Sequence, residues 1–136
     1  MPGSNCVAEG TIPISVTATG GVENPSTLST ATALCPVERI ATGGAFSTNF
    51  SARVWVVDQS SSGNVCCRVV SNNPGGAQQL GTPVCSTGSA ATSQSLTRPG
   101  ITDTASYSHF YVTCTIPAKT ALGKTSGILT YRGVQN

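Results

Sequence analysis

The stretch Val65-Cys66-Cys67-Arg68-Val69 decides the fold of this sequence. Side chains alternate between the two faces of a β-strand, so Cys66 and Cys67 point in opposite directions. Cys67 shares its face with Val65 and Val69, whereas Cys66 shares the other face with Arg68. A bridge between the two adjacent cysteines would need a strained ring inside a strand. The pattern therefore predicts a half-buried strand, with Cys67 in the core, Cys66 near the surface, and a different disulfide partner for each.

The other cysteines suggest those partners. Cys114 lies on an apolar face with Phe110, Val112 and Ile116, which makes it the natural core partner of Cys67. Cys85 follows the turn at residues 72–76 and lies a short distance from Cys66 along the chain. The remaining two cysteines would fasten the N-terminal strand to the body. The predicted bridges are Cys67–Cys114, Cys66–Cys85 and Cys6–Cys35.

The number and spacing of the cysteines favour disulfides over metal binding. The chain has 6 cysteines and 1 histidine, His109. A zinc site needs four nitrogen or sulfur ligands in short pairs, and the sequence offers no such set. We therefore expect no metal and no cofactor, and we expect an oxidising compartment.

The rest of the chain is predicted to form short strands. Gly, Pro, Asn and Ser recur every few residues, and no long segment has helical periodicity. This pattern predicts an all-β fold: an antiparallel β-sandwich of about eight strands, jelly-roll or Ig-like, cross-linked by disulfides. The predicted strands cover residues 11–18, 26–35, 53–58, 65–71, 77–85, 90–98, 107–116 and 127–134. Pro36 is expected to end the second strand, and Pro99-Gly100 to form a turn.

The first predicted strand has features of an edge strand. Ile12, Ile14 and Val16 would form an apolar stripe on one face of residues 11–18, and Pro13 lacks the N–H that a central strand needs. An open sheet edge can pair within its own chain or with a neighbouring copy. We take residues 11–18 as a candidate edge or exchanged strand.

Composition limits the domain count and the partners. The 136 residues fit one domain, residues 1–136, with 38% hydrophobic and 9% charged residues and a net charge of +2. The basic residues are scattered singly, which argues against a nucleic-acid partner. No stretch approaches the roughly 18 apolar residues that span a bilayer. No signal peptide is visible, so an exported protein would have lost it before maturity.

Several motifs along the chain resemble those of a group of small exported bacterial proteins that are largely uncharacterised. The matching pieces are Cys6, the Gly-Val-x-Asn-x-Ser turn at Gly21, Cys35-Pro36-Val37-Glu38-Arg39, Asp58, Val65 with Cys67, Tyr111-Val112-Thr113-Cys114-Thr115-Ile116-Pro117, and Ser126-Gly127-Ile128-Leu129-Thr130-Tyr131-Arg132. The chain departs from the pattern by its additional Cys66 and Cys85, a longer segment at residues 40–52, and the lack of an acidic residue at its end. The resemblance implies a removed signal peptide and a compact β-fold, and it brings no activity.

Catalytic residues are not evident. The acidic residues all lie in or beside predicted turns, where carboxylates usually cap or solvate. The sequence contains no Gly-x-Ser-x-Gly motif, so it offers no recognisable serine nucleophile that His109 could activate. We therefore expect no catalytic residue and no enzyme activity. The acidic residues are Glu9, Glu23, Glu38, Asp58 and Asp103.

One aromatic cluster could bind a ligand. Tyr107, His109 and Tyr111 alternate along one predicted strand and would form a ring-bearing face for stacking on a sugar, unless a second sheet covers it. Trp55 lies among valines and is expected in the core.

Three functions remain open at this point. The first is a non-catalytic secreted or surface structural protein, a self-assembling extracellular subunit or adhesin that contacts copies of itself. The alternative is a carbohydrate-binding module that uses the Tyr107, His109 and Tyr111 face for a cell-surface glycan. The third is a small secreted hydrolase. All three place the protein outside the cell or on its surface.

Overall fold

A computed structural model describes residues 1–42 and 44–136. The described residues form an antiparallel β-sandwich, as predicted, with a 3-10 turn at Gly3–Asn5 as the one helical element. Within these residues, no helix is long and apolar enough to span a bilayer. The strands, in chain order, are β1 Val7–Glu9, β2 Ser15–Val16, β3 Val22–Glu23, β4 Ala31–Val37, β5 Ala41–Thr42, β6 Ala45–Phe46, β7 Asn49–Asp58, β8 Cys66–Asn72, β9 Gln78–Leu80, β10 Val84–Cys85, β11 Ala90–Thr102, β12 His109–Ile116 and β13 Gly127–Gln135.

The strands form two large sheets and a small hairpin. The six-stranded sheet has the order β1-β4-β12-β8-β10, and β9 also pairs with β8. The five-stranded sheet has the order β11-β7-β13-β3-β2. β5 and β6 form a separate two-stranded sheet. Neighbouring strands in both large sheets run antiparallel, so each sheet can present one face to the core and the other to solvent.

The core lies between the inner faces of these sheets. Burial alternates along β7, where Ala52, Val54 and Val56 are buried, and the same period continues in β12. The rings of Phe50 and Phe110 stack across the two sheets with centroids 4.8 Å apart. Burying a side chain of this kind contributes about 1.5–3 kcal/mol, so the facing valines and phenylalanines provide the main force that holds the sheets together.

All three disulfides involve strands of the six-stranded sheet, and they are the pairings predicted from the sequence. Cys67 and Cys114 are directly opposite each other on β8 and β12, inside the core. Cys66 and Cys85 are opposite each other on β8 and β10, on the outer face. The third bridge, Cys6–Cys35, fastens the N-terminal segment to β4 beside β1.

Buried polar residues connect the two sheets. The side-chain amide of Asn24, next to β3, donates to the carbonyl oxygens of Ile116 (2.9 Å) and Pro117 (3.1 Å) at the end of β12. The carboxylate of Asp58, at the end of β7, accepts hydrogen bonds from the hydroxyl groups of Ser86 (2.5 Å) and Ser126 (3.2 Å). Both residues are fully buried. Each therefore fastens an end of the sandwich by satisfied polar contacts.

The predicted strand at residues 11–18 is wrong over most of its length. Only Ser15–Val16 forms a strand, β2, which pairs with β3 at the edge of the five-stranded sheet. Residues 10–12 bend, beginning at Gly10 with φ of 90°, and Pro13 offers no N–H. Ile12 is half-buried, Ile14 packs against the core, and Val16 is 66% exposed. The three side chains therefore do not form a common apolar stripe.

Two prolines lie inside strands rather than at their ends. Pro36 is part of β4, at a position where β1 has ended and one side of β4 is open, which tolerates a residue without an N–H. Pro99 and Gly100 lie inside β11, where a shift in register between Arg98 and Ile101 marks a bulge. A bulge keeps the strand continuous and accommodates the missing N–H of a proline.

Trp55 is not in the core, contrary to expectation. It lies on the outer face of β7 with Arg53, because Val54 and Val56 occupy the inner face. Its indole is half-buried. The alternation that placed the cysteines correctly also places Trp55 outside, since its neighbour in the same parity is an arginine.

Candidate functional site

The outer face of the six-stranded sheet carries a groove of about 580 Å³, here named the six-strand groove. Its floor is β12 and β8, one wall is β1, and the other wall is formed by β9 and the segment that leads to β10. The lining residues are Glu9, Gly10, Thr32, Cys66, Arg68, Val70, Gln78, Pro83, Tyr111, Thr113 and Thr115.

The alternation of β12 explains the polar floor. Val112, Cys114 and Ile116 point into the core, so Thr113 and Thr115 point outward. Arg68 on β8 lies directly opposite Thr113 in the register. The outward face of β12 thus provides threonine hydroxyl groups, and the neighbouring strand β8 adds a cation, Arg68.

Charged and amide groups converge on this floor from both walls. The side-chain amide of Gln78 donates to the Tyr111 hydroxyl (3.2 Å), and the Thr113 hydroxyl donates to the Glu9 carboxylate (3.4 Å). Burial and the nearby Glu9 carboxylate raise the pKa of Tyr111, and Arg68 opposes this shift. Tyr111 is therefore a neutral hydroxyl at physiological pH. The groove offers a carboxylate acceptor, a guanidinium donor, an amide and several hydroxyl groups to a polar ligand.

The predicted aromatic face is divided in the structure. His109 and Tyr111 stack with ring centroids 5.8 Å apart, and they lie on the outer face of β12. Tyr111 is only 9% exposed, so little of its ring is open to a ligand. Tyr107 lies in the turn before β12 and is 78% exposed. It is therefore not part of the His109 and Tyr111 face.

Tyr107 belongs to a second cluster at one end of the sandwich. Its ring lies 6.2 Å from that of Phe46 on β6. The guanidinium of Arg39 lies over the rings of Phe46 and Phe110, at 5.4 and 4.8 Å from their centroids. Its nitrogens also donate to backbone carbonyl oxygens of Ser47, Asp103, Ala105 and Ser108. Arg39 thus organises this end of the molecule, a role that its place in the Cys35-Pro36-Val37-Glu38-Arg39 motif did not predict.

The two buried carboxylates have structural partners. Asp58 and Asp103 each accept a hydrogen bond from the backbone N–H two residues later, in Ser60 (3.0 Å) and Ala105 (2.8 Å). Each also accepts from a serine hydroxyl at 2.5 Å, and for Asp103 the donor is Ser71. This is the turn-capping geometry of aspartate, in a buried setting.

The remaining ionisable residues do not form a metal site in the part of the chain that the structure describes. No group of three or more His, Cys, Asp or Glu side chains lies close enough together there to hold an ion. Glu9 lies in the six-strand groove, and Glu23 accepts a hydrogen bond from the Thr125 hydroxyl (2.5 Å). His109 and Glu38 are exposed.

No protein-family model and no curated protein sequence matches the chain. Solved structures do match. TmCBM61 in complex with β-1,4-galactotriose superposes with a TM-score of 0.53 and 10% identity over 96% of this chain and 87% of that one. A family 6 carbohydrate-binding module superposes with a TM-score of 0.53 and 14% identity over 100% of this chain and 92% of that one.

A third match is the enzymatically active domain of tailspike protein 4 from bacteriophage CBA120, with a TM-score of 0.57 and 7% identity. The match covers 96% of this chain and 19% of the tailspike chain. At these identities the likeness shows the fold alone, a β-sandwich shared by binding modules and by part of an enzyme. The function therefore has to be argued from the groove residues.

Proposed function

We propose that this protein is a non-catalytic, extracellular carbohydrate-binding module whose ligand lies in the six-strand groove. The observation that carries the proposal is the placement of Glu9 and Arg68 with Gln78 and Thr113 on one exposed sheet face. Sugars present closely spaced hydroxyl groups that both donate and accept, and such ligands need donors and acceptors fixed in adjacent positions. The β-sandwich shared with two carbohydrate-binding modules supports this function more than a self-assembling subunit.

The groove favours a neutral saccharide. One carboxylate and one guanidinium balance each other, and the other groups are hydroxyls and an amide. The floor is a β-sheet whose strands are cross-linked by Cys67–Cys114 and Cys66–Cys85, so little conformational freedom is lost on binding. Three disulfides also fit an oxidising, extracellular location, where such glycans occur.

The expectation of a self-assembling subunit has less support. One of its motives is the apolar edge strand predicted at residues 11–18, whereas β2 is short and pairs with β3 of the same chain. The six-strand groove, by contrast, is a concave site with convergent polar groups, the usual form of a small-ligand site.

Titration calorimetry with neutral oligosaccharides tests the proposal. The probes are β-1,4-galactotriose, cellotriose and xylotriose, after a glycan array has shown which is retained. We expect Arg68→Gln and Glu9→Gln each to weaken binding by about tenfold or more, because each removes a charge-assisted hydrogen bond worth roughly 1.5–3 kcal/mol. Arg53→Gln, on the opposite sheet, is the matched control and should bind neutral probes as the unmodified protein does.

Two results would contradict this function. If none of the neutral glycans binds, or if Arg68→Gln binds them unchanged, the groove is not their site. If incubation with a bound probe releases new reducing ends, the non-catalytic part of the proposal is wrong.

A further inference from the structure

The outer face of the five-stranded sheet carries two arginines directly opposite each other. Arg53 on β7 pairs in the register with Arg132 on β13, and both side chains are exposed. The Cβ atoms of directly opposite residues lie about 4.5–5.5 Å apart, and like charges in this arrangement destabilise a sheet. A fold that keeps such a pair has left a local excess of positive charge at one point of its surface.

The carboxylates of the described residues are engaged or placed elsewhere: Glu23 accepts from the Thr125 hydroxyl, and Glu38 follows β4 of the other sheet. Asp58 and Asp103 are buried and already bonded to serines, and Glu9 lies on the other sheet. Within the same described part of the chain, the arginine side chains that donate hydrogen bonds are Arg39 and Arg98. The guanidinium groups of Arg53 and Arg132 are thus available to an external anion.

An aromatic ring lies beside the two arginines. Trp55 follows Arg53 on the same face of β7, so their Cβ atoms are separated by two strand residues, about 6.6 Å. Arg132, Arg53, Trp55 and Thr97 line a groove of about 370 Å³, here named the arginine groove. Thr97 lies opposite Arg53 on β11 and adds a hydroxyl group. Because Trp55 is only half-buried on the outer face, core packing does not account for an indole at this position.

We propose that the arginine groove is a second ligand site, which binds a sugar residue carrying an oxyanion, either a carboxylate or a sulfate. The oxyanion lies between the two guanidinium groups, which match such groups through paired N–H donors. The apolar face of the sugar ring stacks on Trp55. The six-strand groove, with its balanced charges, has no equivalent site for an anion.

The charge distribution favours a single anionic ring over a polyanion such as nucleic acid. The net charge is only +2, and the other basic residues do not extend the pair into a stripe. Arg68 lies on the opposite sheet, Arg98 is buried, and Arg39 is engaged with backbone carbonyl groups. That the ligand is a saccharide rests on the proposed function, whereas the anion preference rests on the arginine groove itself.

The test compares ligands that differ only in charge. Trigalacturonate, its methyl ester and a sulfated galactose disaccharide are titrated by calorimetry into the complete protein at low and at raised salt. The acid should bind at least about tenfold more tightly than its neutral ester, and raised salt should weaken the acid alone. The sulfated sugar identifies the source of the oxyanion: tighter binding than the carboxylate assigns the site to sulfated glycans.

Variants on the two sheets separate this site from the six-strand groove. Arg53→Gln, Arg132→Gln and Trp55→Ala should each weaken binding of the acidic probe by about tenfold or more, and Arg68→Gln should not. The two arginine variants should remain folded, with a raised midpoint of thermal unfolding, because each relieves like-charge repulsion.

Three outcomes overturn the proposal: equal binding of acid and ester, unchanged acid binding in Arg132→Gln, or no binding of any acidic probe. If acid binding is lost only in Arg68→Gln, the acid lies in the six-strand groove, and this proposal fails while the proposed function stands.

Discussion

The two sheets of the sandwich are stabilised in different ways. The six-stranded sheet contains all three disulfides, and its strands include short ones such as β1, β9 and β10. The five-stranded sheet contains no disulfide and is built on three long strands, β7, β11 and β13. Long strands provide many backbone hydrogen bonds and much buried side-chain area without a cross-link. In the six-stranded sheet, Cys66–Cys85 holds the short edge strand β10 to β8, and Cys6–Cys35 holds the segment before the edge strand β1 to β4. Cys67–Cys114 joins the inner strands β8 and β12.

The contacts between the two sheets differ from both the disulfides of one sheet and the long strands of the other. No disulfide joins one sheet to the other, and buried polar groups act there beside the hydrophobic core. Asn24 and Asp58 reach across the ends of the sandwich, and the hydroxyl group of Tyr131 on β13 donates to the carbonyl oxygen of Pro36 on β4 (2.8 Å). These contacts are directional, so they fix how one sheet sits on the other.

The two outer faces differ as well. The cross-linked sheet presents a polar groove of mixed charge, and the other sheet presents the opposed arginines with Trp55. The proposed neutral and acidic sugar sites therefore lie on opposite sides of one core.

Removing the core bridge should have the largest effect on stability. The double substitution Cys67→Ala and Cys114→Ala opens a loop with a sequence separation of 47 residues. In the chain-entropy model this costs about 4 kcal/mol, and the lost sulfur contacts add to it. Urea unfolding under non-reducing conditions measures the change in the free energy of unfolding.

The outer bridge provides the matched control. Cys66 and Cys85 are separated by 19 residues and lie on the outer face. Their replacement by serine should cost about 3 kcal/mol. If the outer pair costs more than the core pair, loop length does not set the size of the effect, and the short strand β10 depends on its bridge more than β8 and β12 depend on theirs.

The contact made by Asn24 between the sheets should come next. Asn24→Ala removes the donor to the carbonyl oxygens of Ser29, Ile116 and Pro117 and the acceptor for the Ser26 N–H. Leaving buried groups unsatisfied costs about 1–3 kcal/mol each, so we expect a loss of about 3 kcal/mol in the free energy of unfolding.

A second asparagine is the control for this substitution. Asn73, in the loop after β8, accepts a hydrogen bond from the Ala77 N–H at an exposed position. Asn73→Ala should cost less than about 1 kcal/mol, since water replaces the lost partner. Equal costs at the two positions would mean that Asn24 does not act between the sheets.

The sequence predicted the bonds within a sheet better than those between sheets. The alternation at Cys66 and Cys67 follows from strand geometry alone, and it led to the three observed pairings. The partners of Asn24 on the other sheet, Ile116 and Pro117, lie 92 and 93 residues away in the chain, and no local pattern reports such a contact. Asp58 looks like an ordinary turn residue in the sequence, because its serine donors, Ser86 after β10 and Ser126 before β13, are distant in the chain.

The candidate site was found only in part. Alternation placed His109 and Tyr111 on one face of β12, but it could not show that the strand begins after Tyr107. The groove walls come from β1, which the sequence patterns did not predict as a strand, and from β9, which lies inside the strand predicted at residues 77–85. The valines around Trp55 predict a place in the core, although its parity with Arg53 indicates the outer face.

One contact between the sheets should be unfavourable, and its removal should stabilise the protein. Arg98 on β11 is 1% exposed, and its guanidinium donates to the carbonyl oxygen of Cys67 (2.9 Å). Burial lowers its pKa to about 10. A lowered pKa of a cation means that the folded state disfavours the charge. Arg98→Met keeps most of the volume and should raise the free energy of unfolding by about 1–2 kcal/mol.

The shorter substitution Arg98→Ala separates charge from packing. It also removes the charge, but it leaves a cavity, so it should be less stable than Arg98→Met by about 2 kcal/mol or more. A destabilised Arg98→Met would show that the hydrogen bond to Cys67 is worth more than the buried charge costs. Arg98 would then belong with Asn24 among the favourable contacts between the sheets.

The smallest effect should be a pH dependence at Asp103. Burial raises the pKa of this carboxyl group, but hydrogen bonds from Ser71 and the Ala105 N–H, together with the charge of Arg39, outweigh it, and the net pKa lies below the ordinary value of 3.8. A carboxylate with a lowered pKa in the folded state stabilises the fold at pH values above the unfolded-state pKa, and this contribution is lost as the pH falls through the folded value.

Asp103→Asn should therefore be less stable than the unmodified protein near neutral pH, and the two unfolding midpoints should converge below about pH 4. Ser71→Ala removes one of the donors and so raises the folded-state pKa of Asp103 towards the unfolded value. Its stability should therefore fall less on acidification than that of the unmodified protein, and the fall should end at a higher pH. Thermal unfolding followed by circular dichroism between pH 2.5 and 7 in steps of about half a unit measures all three proteins. A difference between Asp103→Asn and the unmodified protein that stays constant over this range would mean that the Ser71–Asp103 contact between β8 and β11 acts through shape rather than charge.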